Sequence, residues 1–153
     1  MAATTGKLEI ETEIQSPADK FFAIYKNHAS LFTKVSPDLF KNTEVIRGSG
    51  KNVNSVIHIK YAWGGHDALT AMEKIESIDD ENKTLIHSVF EGDIGKLYKS
   101  YRVIVKAMSK GGKNSVKWSI EYEKAHEEVP APTTYLEFIP KLAKDFDAYV
   151  LNA

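Results

Sequence analysis

The sequence predicts an α+β fold, in which a strongly curved antiparallel sheet of seven strands carries one long helix across its concave side. Three observations predict it. The chain opens on strict apolar–polar alternation, its middle is a run of strand patterns broken by short turn-rich connectors, and its end is one amphipathic helical segment.

In the opening stretch, Leu8, Ile10, Thr12 and Ile14 alternate with Glu9, Glu11 and Glu13, which is the signature of a strand with one wet face. Ser16-Pro17-Ala18-Asp19 then predicts a helix start, with a hydroxyl cap, a proline at the first helical position and an acid in the first turn. Phe21, Phe22, Ile24 and Tyr25 form its apolar side. A second short helix over 29–34 ends before Ser36-Pro37, because the residue preceding proline avoids helical dihedrals. The two helices make a V.

Strands are predicted at 40–47, 55–63, 68–79, 84–91, 97–109 and 115–123. The connectors between them, such as Gly48-Ser49-Gly50-Lys51-Asn52, Gly64-Gly65-His66-Asp67 and Gly92-Asp93-Ile94-Gly95, are rich in residues that adopt turn dihedrals cheaply. Short connectors imply antiparallel neighbours. From Thr133 to Leu151, Tyr135, Phe138, Ile139, Leu142, Phe146, Tyr149 and Val150 fall on one helical face. Pro140 lies inside this helix and is expected to kink it. One helix cannot fill the hollow of so broad a sheet, so bulky side chains plug the middle or a cavity remains.

The chain has 153 residues and reads as one domain, 1–153, with no linker, repeat or low-complexity segment. It has no cysteine, which excludes thiol catalysis, cysteine-based zinc sites and disulfide scaffolds. With 20 Lys+Arg against 21 Asp+Glu, it has no field to gather nucleic acid or an anionic membrane. No apolar stretch approaches a membrane span and no signal sequence opens the chain, so a cytoplasmic location is expected. His28, His58, His66 and His126 are scattered singly, without metal-ligand spacing, and no cofactor is expected.

The order of elements, the run Val89-Phe90-Glu91-Gly92-Asp93, the segment from Trp118 to Lys124 and the closing Lys144-Asp145-Phe146-Asp147-Ala148-Tyr149 resemble the major latex proteins. These are the plant branch related to the pathogenesis-related class 10 proteins and the birch-pollen allergen, Bet v 1. Ser16-Pro17-Ala18-Asp19-Lys20-Phe21-Phe22 and Glu121-Tyr122-Glu123-Lys124 are the most specific pieces, and the resemblance spans essentially the whole chain. It implies a helix-grip fold around a hydrophobic cavity, in proteins that bind apolar small molecules and are linked to defence and stress responses. It names no ligand, and some relatives are enzymes, including a norcoclaurine synthase.

Strand parity assigns a cavity wall. Ile57, Ile59 and Tyr61 face in while His58 and Lys60 face out, and Leu85, His87 and Val89 share an inward face. Tyr101, Val103, Val105 and Ala107 oppose Ser100, Arg102 and Lys106, while Val116, Trp118, Ile120 and Tyr122 oppose Lys117, Ser119 and Glu121. Phe138, Leu142 and Phe146 approach from the helix. Without the family resemblance, such stripes read as ordinary packing.

Two polar residues share this wall. Glu73 falls on the face of Ala71 and Ile75, opposite Met72, Lys74 and Glu76, and His87 lies between Leu85 and Val89. Burial is expected to raise the pKa of Glu73 and lower that of His87, making both candidates for acid–base work. The plainer account is a core histidine with satisfied hydrogen bonds, and a glutamate that reaches water or is re-aimed by a β-bulge.

Two further motifs lead nowhere. Gly48-Ser49-Gly50-Lys51 is followed by a strand rather than by the Ser/Thr and helix of a phosphate loop, so it reads as a hairpin connection at the cavity rim. A ribonuclease activity proposed for the class 10 branch uses an acid and a tyrosine on the last helix, which Asp147 and Tyr149 match in type; the third position falls on Lys99, a reversal of charge. The expected function is therefore storage or transport of a hydrophobic small molecule, such as a hormone, sterol, lipid or specialised metabolite. The alternative is an isomerase or cyclase that uses Glu73 or His87 as base.

Overall fold

The structure is a computed structural model that describes residues 4–62, 69–132 and 135–153. The predicted turn at 64–67 with its His66, the strand ends at 63 and 68, and the helix start at Thr133 lie outside the described residues. In chain order the elements are β1 (Thr5–Ile14), α1 (Ala18–Tyr25), α2 (His28–Val35), β2 (Phe40–Arg47), β3 (Val56–Tyr61), β4 (Thr70–Asp79), β5 (Thr84–Phe90), α3 (Gly92–Leu97), β6 (Tyr98–Lys110), β7 (Lys113–Lys124) and α4 (Tyr135–Leu151).

The seven strands form one antiparallel sheet in the order β1-β7-β6-β5-β4-β3-β2. Sequence neighbours pair from β2 through β7, and β1 closes onto β7 at the far edge. Strand parity sorts the side chains as expected. On β3, Ile57, Ile59 and Tyr61 are buried and alternate with partly exposed neighbours, and β5 repeats this with Leu85, His87 and Val89. β4 carries a bulge between Ile75 and Ser77, so the register upstream of it is untouched and Glu73 keeps its inward side.

The core is aromatic at its centre. Phe21 and Tyr25 of α1, Phe32 of α2, Trp118 of β7 and Phe146 of α4 are all buried and touch one another, with the Tyr25 and Phe146 rings 4.9 Å apart in an edge-to-face arrangement. The V of α1 and α2 thus feeds rings into the hollow that α4 alone leaves.

Three local readings are corrected. Ser16 does not cap α1: Pro17 occupies the cap position, and the Ala18 N–H donates instead to Asn114 Oδ1 at 3.0 Å. The Ser16 hydroxyl is committed elsewhere, to Asp147 Oδ1 at 2.6 Å. Residues 92–97, read from sequence as a connector and the start of a strand, form the short helix α3. Its entry explains the glycine in Val89-Phe90-Glu91-Gly92-Asp93. Gly92 has φ +60°, and a Cβ there would stand 2.5 Å from the Thr70 carbonyl oxygen. Asp93 then accepts from the Thr70 N–H at 3.0 Å and its hydroxyl at 3.2 Å, fixing α3 to the start of β4. The third correction concerns α2, which begins at His28 and so takes that histidine into the helix. Helix α4 runs through Pro140, its sixth residue.

Asp147 is the fastener between the two ends of the chain. Its carboxylate accepts from the Gln15 N–H at 2.8 Å, the Ser16 N–H at 2.9 Å and the Ser16 hydroxyl. Ser16 is fully buried, so removing the acceptor strands two donors away from water. Asp147→Ala is expected to lower unfolding free energy by about 2–4 kcal/mol, with Asp147→Asn losing less, as read from urea denaturation midpoints.

Candidate functional site

The site is built on β4, β5, α2 and the start of α4. Glu73 pairs across the strands with Val89, and His87 with Ile75, so the two side chains are diagonal neighbours on the inner face. Glu73 is 2% exposed and His87 5%. Glu73 Oε2 lies 3.6 Å from His87 Nδ1. Its other oxygen, Oε1, is 2.5 Å from Nε2 of His28. The His28 Nδ1 in turn lies 3.2 Å from the Tyr25 carbonyl oxygen, so both ring nitrogens of His28 point at acceptors. The two imidazoles stack with centroids 5.7 Å apart.

His28 was read from sequence as an isolated histidine, and that reading is overturned. The signal that could have found it is its spacing: His28, Ala29 and Phe32 fall on one helical face, and all three are buried.

The electrostatics also depart from expectation in one sign. Burial pushes the Glu73 carboxyl up, but the imidazoles of His87 and His28 outweigh it and hold the group below its ordinary range. Glu73 is therefore a buried carboxylate, not the raised-pKa acid expected from burial alone. His87 follows the expected direction. Burial pushes it down to about 4, against the opposing pull of Glu73. Its two ring nitrogens are buried with no hydrogen-bond partner. Burial also drives the Tyr61 and Tyr101 hydroxyls well above their ordinary value, so both remain neutral donors.

Two spaces adjoin these groups. The inner one, about 30 Å³, is lined by Glu73, His87, Val89, Val103, Trp118 and Leu142 together with Tyr25, Phe32, Phe40 and Ile139. The outer one is a cleft of about 410 Å³ lined by Leu69, Ile94, Leu97, Tyr98, Tyr101 and Pro130-Ala131-Pro132. Tyr61, Tyr135 and Phe138 belong to both linings and form the partition between them. Among the described residues, no charged side chain lines the cleft.

Of the residues that parity assigned to a cavity wall, the structure brings Tyr61, Glu73, His87, Val89, Val103, Trp118, Phe138 and Leu142 around the inner space, and Tyr101 to the cleft. Ile57, Ile59, Ala71, Leu85, Val105, Ile120 and Phe146 are buried in the core and line neither space. The bulk of the room lies at the open end, between α3 and the segment leading into α4. From sequence, Ile94 falls in a connector and Leu97 at the start of a strand, so neither is expected in the wall, although their spacing of three residues is helical.

Neither rejected motif enters the site. None of residues 48–54 lines the cleft or the inner space, and the Gly50 N–H bonds the Ser55 hydroxyl at 3.1 Å in a turn. Asp147 is occupied by Gln15 and Ser16, while Lys99 pairs at 3.7 Å with Glu123. Among the described residues there is no cluster of three or more acidic, histidine or cysteine side chains placed to hold a metal, and no helix long and apolar enough to cross a membrane.

Comparison with known proteins places this geometry in context. The model of the pathogenesis-related protein Bet v 1 family matches residues 3–153. The chain is 33% identical over 148 residues to MLP-like protein 423 of Arabidopsis thaliana, covering 97% of this chain and 96% of that one. It is 32% identical over 152 residues to major latex protein 149 of Papaver somniferum, covering 98% and 94%. A crystal structure of ginseng major latex-like protein 151 from Panax ginseng superposes with a TM-score of 0.91 at 34% identity, over 97% of this chain and 99% of that one. A norcoclaurine synthase from Thalictrum flavum shares the fold, with a TM-score of 0.78 at 20% identity over 100% of this chain and 98% of that one.

The His87 environment makes a pH prediction. Its folded pKa of about 4 lies below the ordinary 6.5, so the unfolded chain takes up the proton first and stability falls as pH drops through that window. Between pH 7.5 and pH 5 the loss from this residue is expected to be about 2 kcal/mol. Glu73, held below 4.5, loses its contribution only at lower pH. In urea unfolding at pH 7.5 and pH 5, His87→Phe should therefore flatten the difference by about that amount; an unchanged difference rejects a buried neutral His87.

Proposed function

The chain belongs to the pathogenesis-related Bet v 1 family, and we propose that it binds a hydrophobic, uncharged small molecule in the cleft between α3 and the start of α4. The observation that carries this reading is the cleft itself. Its size is that of a small-molecule site, its lining is aliphatic, aromatic and proline-rich, and a tyrosine hydroxyl, that of Tyr101, belongs to one of its walls. Binding of such a ligand is driven by removal of apolar surface from water, roughly 25 cal/mol per Å², with the hydroxyl setting orientation.

Among the described residues the lining carries no charge, and such a lining is selective. A carboxylate or ammonium entering the cleft loses hydration and finds no counter-ion, whereas a neutral body loses little. Hormone, sterol, lipid and specialised-metabolite ligands all contain members of this neutral class. The family's description as pathogenesis-related supports a role of this kind in plant defence or stress response, and the absence of a membrane-length helix among the described residues is compatible with a cytoplasmic location.

The enzyme alternative, an isomerase or cyclase using Glu73 or His87, is less favoured by the geometry. Both groups stand behind the partition of Tyr61, Tyr135 and Phe138, beside a space of only about 30 Å³. A substrate carbon reaches them only if those rings move aside.

Titration with N-phenyl-1-naphthylamine, a neutral fluorescent hydrophobe, tests the proposal. Saturable, blue-shifted fluorescence at one site per chain is expected, and Ala131→Trp, which fills the cleft, should weaken it by at least tenfold. The anionic 8-anilinonaphthalene-1-sulfonate should bind more weakly than the neutral probe. Binding that survives Ala131→Trp unchanged, or the absence of saturable binding, rejects the cleft as the site.

A further inference from the structure

His87 is an acceptor looking for a donor. The Glu73 carboxylate has its Oε1 engaged by His28 and turns Oε2 toward His87 Nδ1 at 3.6 Å. A negative oxygen on that side favours the tautomer with its proton on Nδ1. The lone pair of Nε2 is then left free. That nitrogen is buried, has no hydrogen-bond partner, and belongs to a residue lining the inner space. A buried acceptor without a donor costs free energy that a suitable group restores.

We infer that the inner space is a polar subsite for the leading end of the ligand, which takes a hydroxyl donor such as an alcohol or phenol onto His87 Nε2. The space of about 30 Å³ admits a group the size of one water, which is the size of a terminal hydroxyl. The apolar body of the same molecule would occupy the cleft. Tyr61, Tyr135 and Phe138 divide the two spaces with ring centroids 5.2–5.9 Å apart, and rotation of these rings joins the spaces into one channel. An anionic leading group is rejected, because it would approach the Glu73 carboxylate in a medium that screens little. An ether leaves the His87 acceptor unsatisfied.

His28 has a positioning role here. By occupying Oε1 it holds the Glu73 carboxylate in place, so that Oε2 faces His87 and sets its tautomer.

This inference rests on the ligand-binding reading, and the experiment separates the two. Isothermal titration of the unmodified protein with 4-phenylphenol, 4-methoxybiphenyl and biphenyl-4-carboxylate compares a donor, a blocked donor and an anion on one apolar body. The phenol should bind about tenfold more tightly than the ether, and the carboxylate should bind weakest. His87→Phe should erase the preference for phenol over ether. Nitrogen-15 NMR should show His87 with a protonated Nδ1 and a bare Nε2 whose shift moves on addition of 4-phenylphenol. Equal affinity for phenol and ether overturns the subsite while leaving the cleft reading intact, as does a proton found on Nε2. Failure of all three compounds to bind overturns both.

Discussion

Everything in this structure answers to one geometric constraint: a single helix cannot fill the concave side of a seven-stranded curved sheet. The sheet is wide because its connectors are short and antiparallel. The hollow must then be filled from elsewhere or stay open. The V of α1 and α2 supplies much of the filling with Phe21, Tyr25 and Phe32, which meet Trp118 and Phe146. These rings close one end and the middle. At the other end the aromatic rings of Tyr61, Tyr98, Tyr101, Tyr135 and Phe138 line a space without filling it, and α3 with Pro130-Ala131-Pro132 walls a cleft instead of a core. Filled centre and open end are two consequences of the same shortage of helix.

Within that aromatic filling stands one carboxylate. An isolated buried charge is too costly to keep, so Glu73 persists only through the groups around it. His28 meets one oxygen directly and His87 faces the other. The pairing ties α2 to β4, which makes the V part of the sheet's electrostatics as well as of its packing. It also leaves the imidazole of His87 bordered on one side by negative charge and on the other by space, and that asymmetry separates it from an ordinary core histidine.

Much of this was legible in the sequence, and for physical reasons. Alternation over Ile57, Ile59 and Tyr61, or over Leu85, His87 and Val89, is enforced by the pleat, so parity alone places a side chain on the inner face. Glu73 was found that way, and the bulge that threatened the assignment lies beyond Ile75, too late to affect it. What parity does not give is contact across elements. That His28 reaches Glu73 depends on how α2 leans on β4, forty-five residues later in the chain. The sign of the Glu73 shift depends on that same contact, which is why burial alone gave the wrong direction. The cap of α1 failed for a related reason: Ser16 has the chemistry of a cap, but Asp147 competes for its hydroxyl, and only the folded chain reveals the competitor. Parity likewise marks residues as inward without telling a packed core from a cavity wall, so Leu85 and Val103 look alike until α4 is in place.

The position of β1 has a consequence for synthesis. This strand is made first, yet its one partner in the sheet is β7, which begins about a hundred residues later. At ribosomal rates of about 5–20 residues per second, β1 waits roughly 5–20 s for a neighbour, and longer for the Asp147 clasp on the final helix. During that interval it is an unpaired strand with a greasy face, the kind of segment that seeds aggregation. Glu9, Glu11 and Glu13 line the other face of that strand with like charges, which disfavour edge-to-edge pairing of unfolded chains until β7 arrives and Lys117 pairs with Glu9 at 2.5 Å.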